Sequence, residues 1–372
     1  MTDVVDLAPS ETEPLVRMLP AEAYTSAEVL AWERRHLFAG SWTCLGRLED
    51  LFGDEATNQR AVRIGEVGAL VVRQGDALRM YANTCRHRGH ELVADGESAG
   101  KRMITCPYHA WTYGLGGELK GAPGFRGVEG FDPAEHALVE LPVREWQGWV
   151  FGHALHADNT PEVPSFETHL GAITGLLEPY SAASLVIADR HTYEVAANWK
   201  VIAENYHECY HCPLIHPELC EVSPPDSGEN YDLPGTWVGG AMDLRPGMAT
   251  MSLTGELAAT PLPGVDPRRV EYLHLLPNLL ISAHPDYVMT HRMVPLEPGR
   301  TWVECTWLTL PDAGAASGAV EFWDITNRQD WAACESVQRG LESPHFRPGP
   351  FAPNEDAVAQ LVALIGSAYR AG

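Results

Sequence analysis

The sequence predicts an α+β protein: a small all-β domain, then a larger domain in which an antiparallel sheet is wrapped by helices. Three observations predict it. From Trp42 to about His153 the chain is cut by glycine and aspartate into short β-rich runs, among them 61–64, 69–73 and 149–151. Beyond a polar, Pro-containing stretch at 157–164, strand-like and helix-like segments are mixed. The chain's 372 residues are enough for two domains.

Taken in order, residues 1–40 form an N-terminal helical segment expected to pack on the larger domain. Thr25-Ser26-Ala27-Glu28 fits a capping box, and Val29, Leu30, Trp32 and Leu37 supply an apolar face. Residues 41–156 form the all-β domain, in which Gln74-Gly75-Asp76 is a turn. Residues 165–372 form the larger domain. A strand at 189–195 precedes a helix beginning near Asn198, and 272–281, 288–294 and 302–310 read as strands of an antiparallel sheet. Pro277 interrupts the first of these three, while Pro285 and Pro295 are expected between runs, where a missing N–H is tolerated. Helices at 320–339 and 355–369 close the chain.

Composition narrows the function classes. The 26 basic and 50 acidic residues give a net charge of −24, which argues against nucleic acid or an anionic membrane as partner. No apolar run approaches the ~18 residues of a membrane span. Met1-Thr2-Asp3-Val4-Val5-Asp6 lacks a basic leader region, so a cytoplasmic protein is expected. Its eight cysteines then read as metal ligands and free buried thiols rather than disulfides.

Two mixed pairs stand out: Cys85-Arg86-His87 and Cys106-Pro107-Tyr108-His109. A [2Fe–2S] centre with two thiolates on one iron and two imidazoles on the other needs one Cys and one His from each of two loops. The competing reading is structural zinc, but zinc fingers pair Cys with Cys and His with His, and here each half is mixed. His90 reads as a hydrogen-bonded neighbour, and Trp111 as a ring packed over the centre.

A second constellation runs from Asn198 to His216. If Asn198 opens a helix, Glu204, Glu208 and His211 fall on one face, Pro213 ends the regular helix, and His216 follows. His211 and His216 with one carboxylate from elsewhere make a facial triad, which leaves three cis positions on Fe(II) open. Glu208 is spaced to bond the other ring nitrogen of His211. The stretch also contains His207-Glu208-Cys209-Tyr210-His211, the zinc-metalloprotease pattern, and a Cys209-x-x-Cys212 pair. A protease has no use for an upstream iron–sulfur centre, whereas an oxygenase needs both sites. Cys209, Cys212 and Cys220 are therefore expected as unpaired thiols, and His274, His284 and His291 as core or surface residues.

Together these motifs resemble the α subunit of the Rieske non-haem iron oxygenases. The first two pairs match Cys-x-His and Cys-x-x-His with their flanks Arg88-Gly89 and Ala110-Trp111. Glu208, His211 and His216 match acid-x2-His-x4-His, and the string Asn-Trp-Lys…Glu-Asn-Tyr-x-Glu-Cys-Tyr-His-Cys resembles the betaine-demethylating members. The resemblance implies that Cys85, His87, Cys106 and His109 hold the [2Fe–2S] cluster and that His211, His216 and a later Asp hold mononuclear Fe(II). Of Asp324 and Asp330, the family spacing to Glu335-Ser336-Val337-Gln338-Arg339 favours Asp330. It further implies a homotrimer, in which Glu208 bridges His211 and His109 of the neighbouring subunit. Electrons would come from NAD(P)H through a separate flavin/iron–sulfur reductase. The expected reaction uses O2 for oxidative N-demethylation of a betaine or other quaternary ammonium compound, with aromatic-ring hydroxylation as the same-class alternative. A zinc-binding protein, a plain electron carrier and a metalloprotease are the alternatives of another class.

Overall fold

The computed structural model describes residues 4–9, 15–53, 56–155 and 163–371. The expected linker at 157–164 lies almost wholly outside them. The chain divides into two compact units: Glu33–Phe166, and Met1–Trp32 together with Glu167–Gly372.

The Glu33–Phe166 unit is all-β apart from short helical turns. Its strands are β1 (Thr43–Arg47), β2 (Gln59–Ile64), β3 (Val67–Gln74), β4 (Ala77–Ala82), β5 (Ser98–Ala99) and β6 (Met103–Thr105). There follow β7 (Thr112–Gly114), β8 (Leu119–Gly121), β9 (Glu140–Leu141), β10 (Val143–Trp146) and β11 (Trp149–Gly152). They form sheets in the orders β5-β2-β3-β4-β9, β1-β11-β10 and β6-β7-β8. β3 shows how one strand serves two cores. Because alternate side chains leave opposite faces of a strand, Ala69 and Val71 join Met80, Val143 and Val150 in one cluster. Leu70 and Val72 join Tyr81, Cys85, Cys106, Trp111 and Tyr113 in the other.

In the second unit β12 (Val186–Val195), β13 (Glu229–Asn230), β14 (Trp237–Asp243), β15 (Arg269–Leu275), β16 (Leu279–Ala283), β17 (Val288–Glu297) and β18 (Arg300–Thr309) form one sheet. Its order is β12-β18-β17-β16-β15-β14-β13, and every pairing is antiparallel. Pro277 separates β15 from β16. Pro295, expected between runs, lies inside β17 opposite Thr301, where a register shift between Pro295 and Glu297 absorbs its missing N–H.

The helix Ser317–Leu341 sends Phe322, Trp323, Ala319 and Val320 into one cluster with Met289, Cys305 and Trp307 of the sheet. Toward its other end, Glu335 Oε1 accepts from Ala196 N at 3.1 Å and Gln338 Oε1 from Asn198 N at 3.0 Å. The Glu-x-x-Gln string therefore pins the start of the helix Trp199–Tyr206. In the N-terminal segment Ser26 supplies the cap, its Oγ facing Val29 N at 3.4 Å, while Thr25 Oγ1 turns back to Ala21 O. No helix among the described residues is long and apolar enough to cross a membrane.

Candidate metal centres

The helix Trp199–Tyr206 begins on Asn198, whose side chain accepts from Lys200 N at 3.0 Å and donates to Tyr24 O and Pro298 O. It stops at Tyr206, so Glu208 and His211 do not share a helical face with Glu204, contrary to expectation. Glu208 is the reason: its Oε2 accepts from the N–H groups of Tyr210 and His211, a local turn that competes with continued helix. Pro213 then sits in the first turn of a new short helix, Cys212–Ile215, where it needs no donor. Glu204 points elsewhere. It accepts from Tyr24 OH at 2.7 Å, and burial pushes its carboxyl up to about 7 against that bond and nearby Lys200.

The break brings His211 and His216 together. His211 Nδ1 is bonded to Glu208 Oε1, and His216 Nδ1 to Gln329 Oε1 at 2.7 Å. With both Nδ1 atoms engaged, both Nε2 atoms turn to one carboxylate oxygen, Asp330 Oδ1, at 3.3 Å from His211 and 2.7 Å from His216. The three ligand-type atoms lie within 4.8 Å of one another. Two donors each ~2.1 Å from one ion and at right angles lie about 3 Å apart, so these spacings fit a single metal. The same acids that would draw a metal ion hold a proton on the imidazole: burial opposes charge on His211, yet its hydrogen bonds to the Asp330 and Glu208 carboxylates lift it to about 9. Burial likewise opposes charge on Asp330, but the two histidines hold it below its usual range.

Other candidates fall outside this group. Asp324 is occupied by Tyr193 OH at 2.6 Å and Arg328 Nε at 2.8 Å. His207, which a protease site would need beside His211, stacks on His274 with ring centroids 5.5 Å apart. Cys209 and Cys212 form a disulfide rather than free thiols, because the Cys-x-x-Cys turn brings their Cα atoms to 4.9 Å. Cys220 is free. Sequence reasoning missed Gln329 and Asn205, whose Nδ2 lies 3.5 Å from His211 Nε2. The amide beside Asp330 was the available signal for the first.

The triad borders a cavity of about 540 Å³ lined also by Tyr206, Tyr272, Trp323 and Trp331. His291, expected in core or surface, lines it as well, whereas His274 and His284 are fully buried core residues.

In the other unit the two Cys/His loops share one construction. Gly89 N donates to Cys85 O and Ala110 N to Cys106 O, and Gly89 and Ala110 both have positive φ, 74° and 56°. Each loop is thus a tight turn closed four residues after its cysteine, whatever the spacing to its histidine. Both cysteines are buried, and burial raises the Cys106 thiol beside that of Cys85. Tyr113 OH lies 3.3 Å from Cys85 Sγ and accepts from Arg86 N. His87 and His109 are half-buried, with ring centroids 4.8 Å apart, and His87 stacks flat on Trp111 at 4.9 Å. Two inner thiols and two outer imidazoles fit the mixed ligand set of a [2Fe–2S] cluster. His90 Nδ1 is 2.6 Å from Glu91 O.

Comparison with known proteins follows the same division. Residues 41–132 match the Rieske [2Fe–2S] domain, and 183–370 match the catalytic domain of the ring-hydroxylating α subunit. The chain is a member of this Rieske oxygenase family. It is 30% identical to the glycine betaine monooxygenase oxygenase subunit of Chromohalobacter salexigens, over 90% of this chain and 81% of that protein. It is 37% identical to the carnitine monooxygenase oxygenase subunit of Acinetobacter baumannii, over 54% of this chain and 53% of the relative. A solved structure of a quaternary ammonium Rieske monooxygenase superposes with a TM-score of 0.78 at 25% identity, covering 95% of this chain and 96% of the other. This Rieske oxygenase is therefore an oxidoreductase of the mono- or dioxygenase type. Its family implies an iron–sulfur cluster and a non-haem iron, used with dioxygen, a substrate and a separate reductase.

Proposed function

We propose that the protein hydroxylates an N-methyl carbon of a quaternary ammonium compound, whose hemiaminal product then collapses to formaldehyde and the demethylated amine. The observation that carries this reading is the convergence of His211 Nε2, His216 Nε2 and Asp330 Oδ1 beside an aromatic-walled cavity. His211, His216 and Asp330 would hold Fe(II), and Cys85, His87, Cys106 and His109 the [2Fe–2S] cluster. Bound there, the two groups supply dioxygen activation and one-electron transfer. Glu208 and Gln329 hold the imidazoles in the tautomer that presents Nε2. The cavity's Tyr and Trp rings suit a methylammonium group, each face contributing roughly 0.5–2 kcal/mol. The relatives named for glycine betaine and carnitine support that substrate class.

The reading extends to the assembly. The Rieske domain would span 41–156 and the catalytic domain 165–372, with the N-terminal segment 1–40 packed on the latter. Electrons would come from NAD(P)H through a flavin/iron–sulfur reductase in the cytoplasm. The chain would act as a homotrimer, in which Glu208 links His211 to His109 of a neighbouring copy. Exposed Tyr210 and Leu214 next to Glu208 are suited to such a contact. Dioxygen uptake with formaldehyde release, screened over quaternary ammonium ions and simple arenes, tests the reaction. Uptake with arenes alone would replace demethylation by ring hydroxylation.

A further inference from the structure

We propose that the cavity beside the triad is shaped for a cation bearing a hydroxyl and no carboxylate, an amino alcohol, with that hydroxyl donating to His291 Nδ1. This rests on the quaternary ammonium reading above and narrows it.

The first support is charge. Among the described residues lining the cavity there is no Lys or Arg, but there are five carboxylates: Glu208, Asp226, Glu229, Asp330 and Asp356. Iron(II) in the triad would offset two of these charges. Arg269, which reaches Glu229 at 3.0 Å from outside the lining, is shared with Glu271 at 3.2 Å and offsets at most one more. At least two negative charges are left, and the exposed Asp226 and Asp356 place them where the cavity meets solvent. A cation entering here is attracted throughout. A zwitterion must bring its own carboxylate into a cavity that holds like charges and no side-chain cation.

The second support is independent of charge. His291 is 3% exposed, and its Nδ1 is buried without a hydrogen-bond partner. Its other nitrogen, Nε2, lies 3.0 Å from Asn327 Oδ1, while Asn327 Nδ2 is directed to Cys305 Sγ at 3.4 Å. The amide oxygen is thus the acceptor and Nε2–H the donor, which leaves Nδ1 as a bare lone pair. A lone pair takes a hydroxyl proton and repels a carboxylate. Two rings of the aromatic lining add to the match, while Trp331 Nε1 remains a buried donor without a partner. Tyr206 OH is committed to Ile281 O and Ser282 Oγ, and Trp323 Nε1 to Tyr287 OH. What these residues have left for the cavity is ring, suited to methylammonium carbons.

Calorimetric titration of anaerobic, iron-loaded protein with choline, tetramethylammonium, glycine betaine and carnitine tests the inference. Choline should bind tightest, tetramethylammonium next, and both zwitterions at least about tenfold more weakly than choline, the factor expected from one unmatched buried charge or hydrogen bond. The His291→Phe variant should bring choline down to the affinity of tetramethylammonium. The exposed Asp226→Lys variant should raise glycine betaine relative to choline. Zwitterions binding as tightly as choline would overturn the inference and leave the demethylase reading intact. Choline no tighter than tetramethylammonium in the unaltered protein would remove the role of His291. No binding by any of the four would sink the quaternary ammonium reading and this inference with it.

Discussion

Between Cys85 and Tyr113 the cluster loops are positioned by near neighbours: each turn is closed by a bond spanning four residues, and Tyr113 braces Cys85. The triad of the other unit is assembled across the chain, since His216 meets Asp330 over 114 residues and Gln329 over 113. The local site depends on turn geometry. The long-range site depends on whether the helix Ser317–Leu341 is seated on the sheet and on the helix Trp199–Tyr206. Damage to the fold should therefore reach the triad first.

The largest effects test whether the two sites are separable. Asp330→Ala should abolish turnover and leave about two of the roughly three irons per chain, with the cluster's visible spectrum intact. Cys106→Ser should remove the cluster and retain the third iron. Loss of all iron from Cys106→Ser would show that the local site supports the distant one.

Glu208→Gln should keep both metals yet slow electron transfer between centres by roughly 10–100-fold, the usual cost of losing such an orienting partner. Single-turnover oxidation of the pre-reduced cluster measures it, and a near-normal rate would reduce Glu208 to a turn residue. Gln329→Leu sharpens the contrast from the long-range side. It should weaken iron retention about tenfold in a chelator competition and leave the cluster unaltered.

A last effect, on stability and not on either metal site, concerns Glu204. Its folded carboxyl is raised to about 7, above its ordinary value, so the folded state binds more protons than the unfolded state between roughly pH 4.5 and 7. Stability from this group is full below that window and falls as pH rises through it, by up to about 3 kcal/mol. Glu204→Gln should match the unaltered protein in thermal unfolding near pH 5 and exceed it near pH 8. Parallel melting curves at both pH values would mean that Glu204 does not ionise at a cost.

The same contrast explains what the sequence disclosed. The Cys/His pairs were legible because their chemistry is written within a few residues, and β3 because it is a continuous apolar run, buried on both faces. Asp330 could be preferred over Asp324 only by family spacing. The physical reason, that Tyr193 and Arg328 already occupy Asp324, exists only once β12 and the long helix meet. The helix was expected to run on to Pro213 because propensity does not register Glu208 capturing two backbone N–H groups. Gln329 and His291 went unassigned for a like cause: each acquires its role from a partner in a distant element.

The Cys209–Cys212 bond encloses His211 within a four-residue ring, Cys209-Tyr210-His211-Cys212. Purification chemistry then acts in opposite senses on the two sites. A dithiol in the buffer keeps Cys85 and Cys106 free to receive iron and sulfide, while it opens the ring around His211 by thiol exchange. Preparations made with and without dithiothreitol should differ in mononuclear iron before they differ in colour.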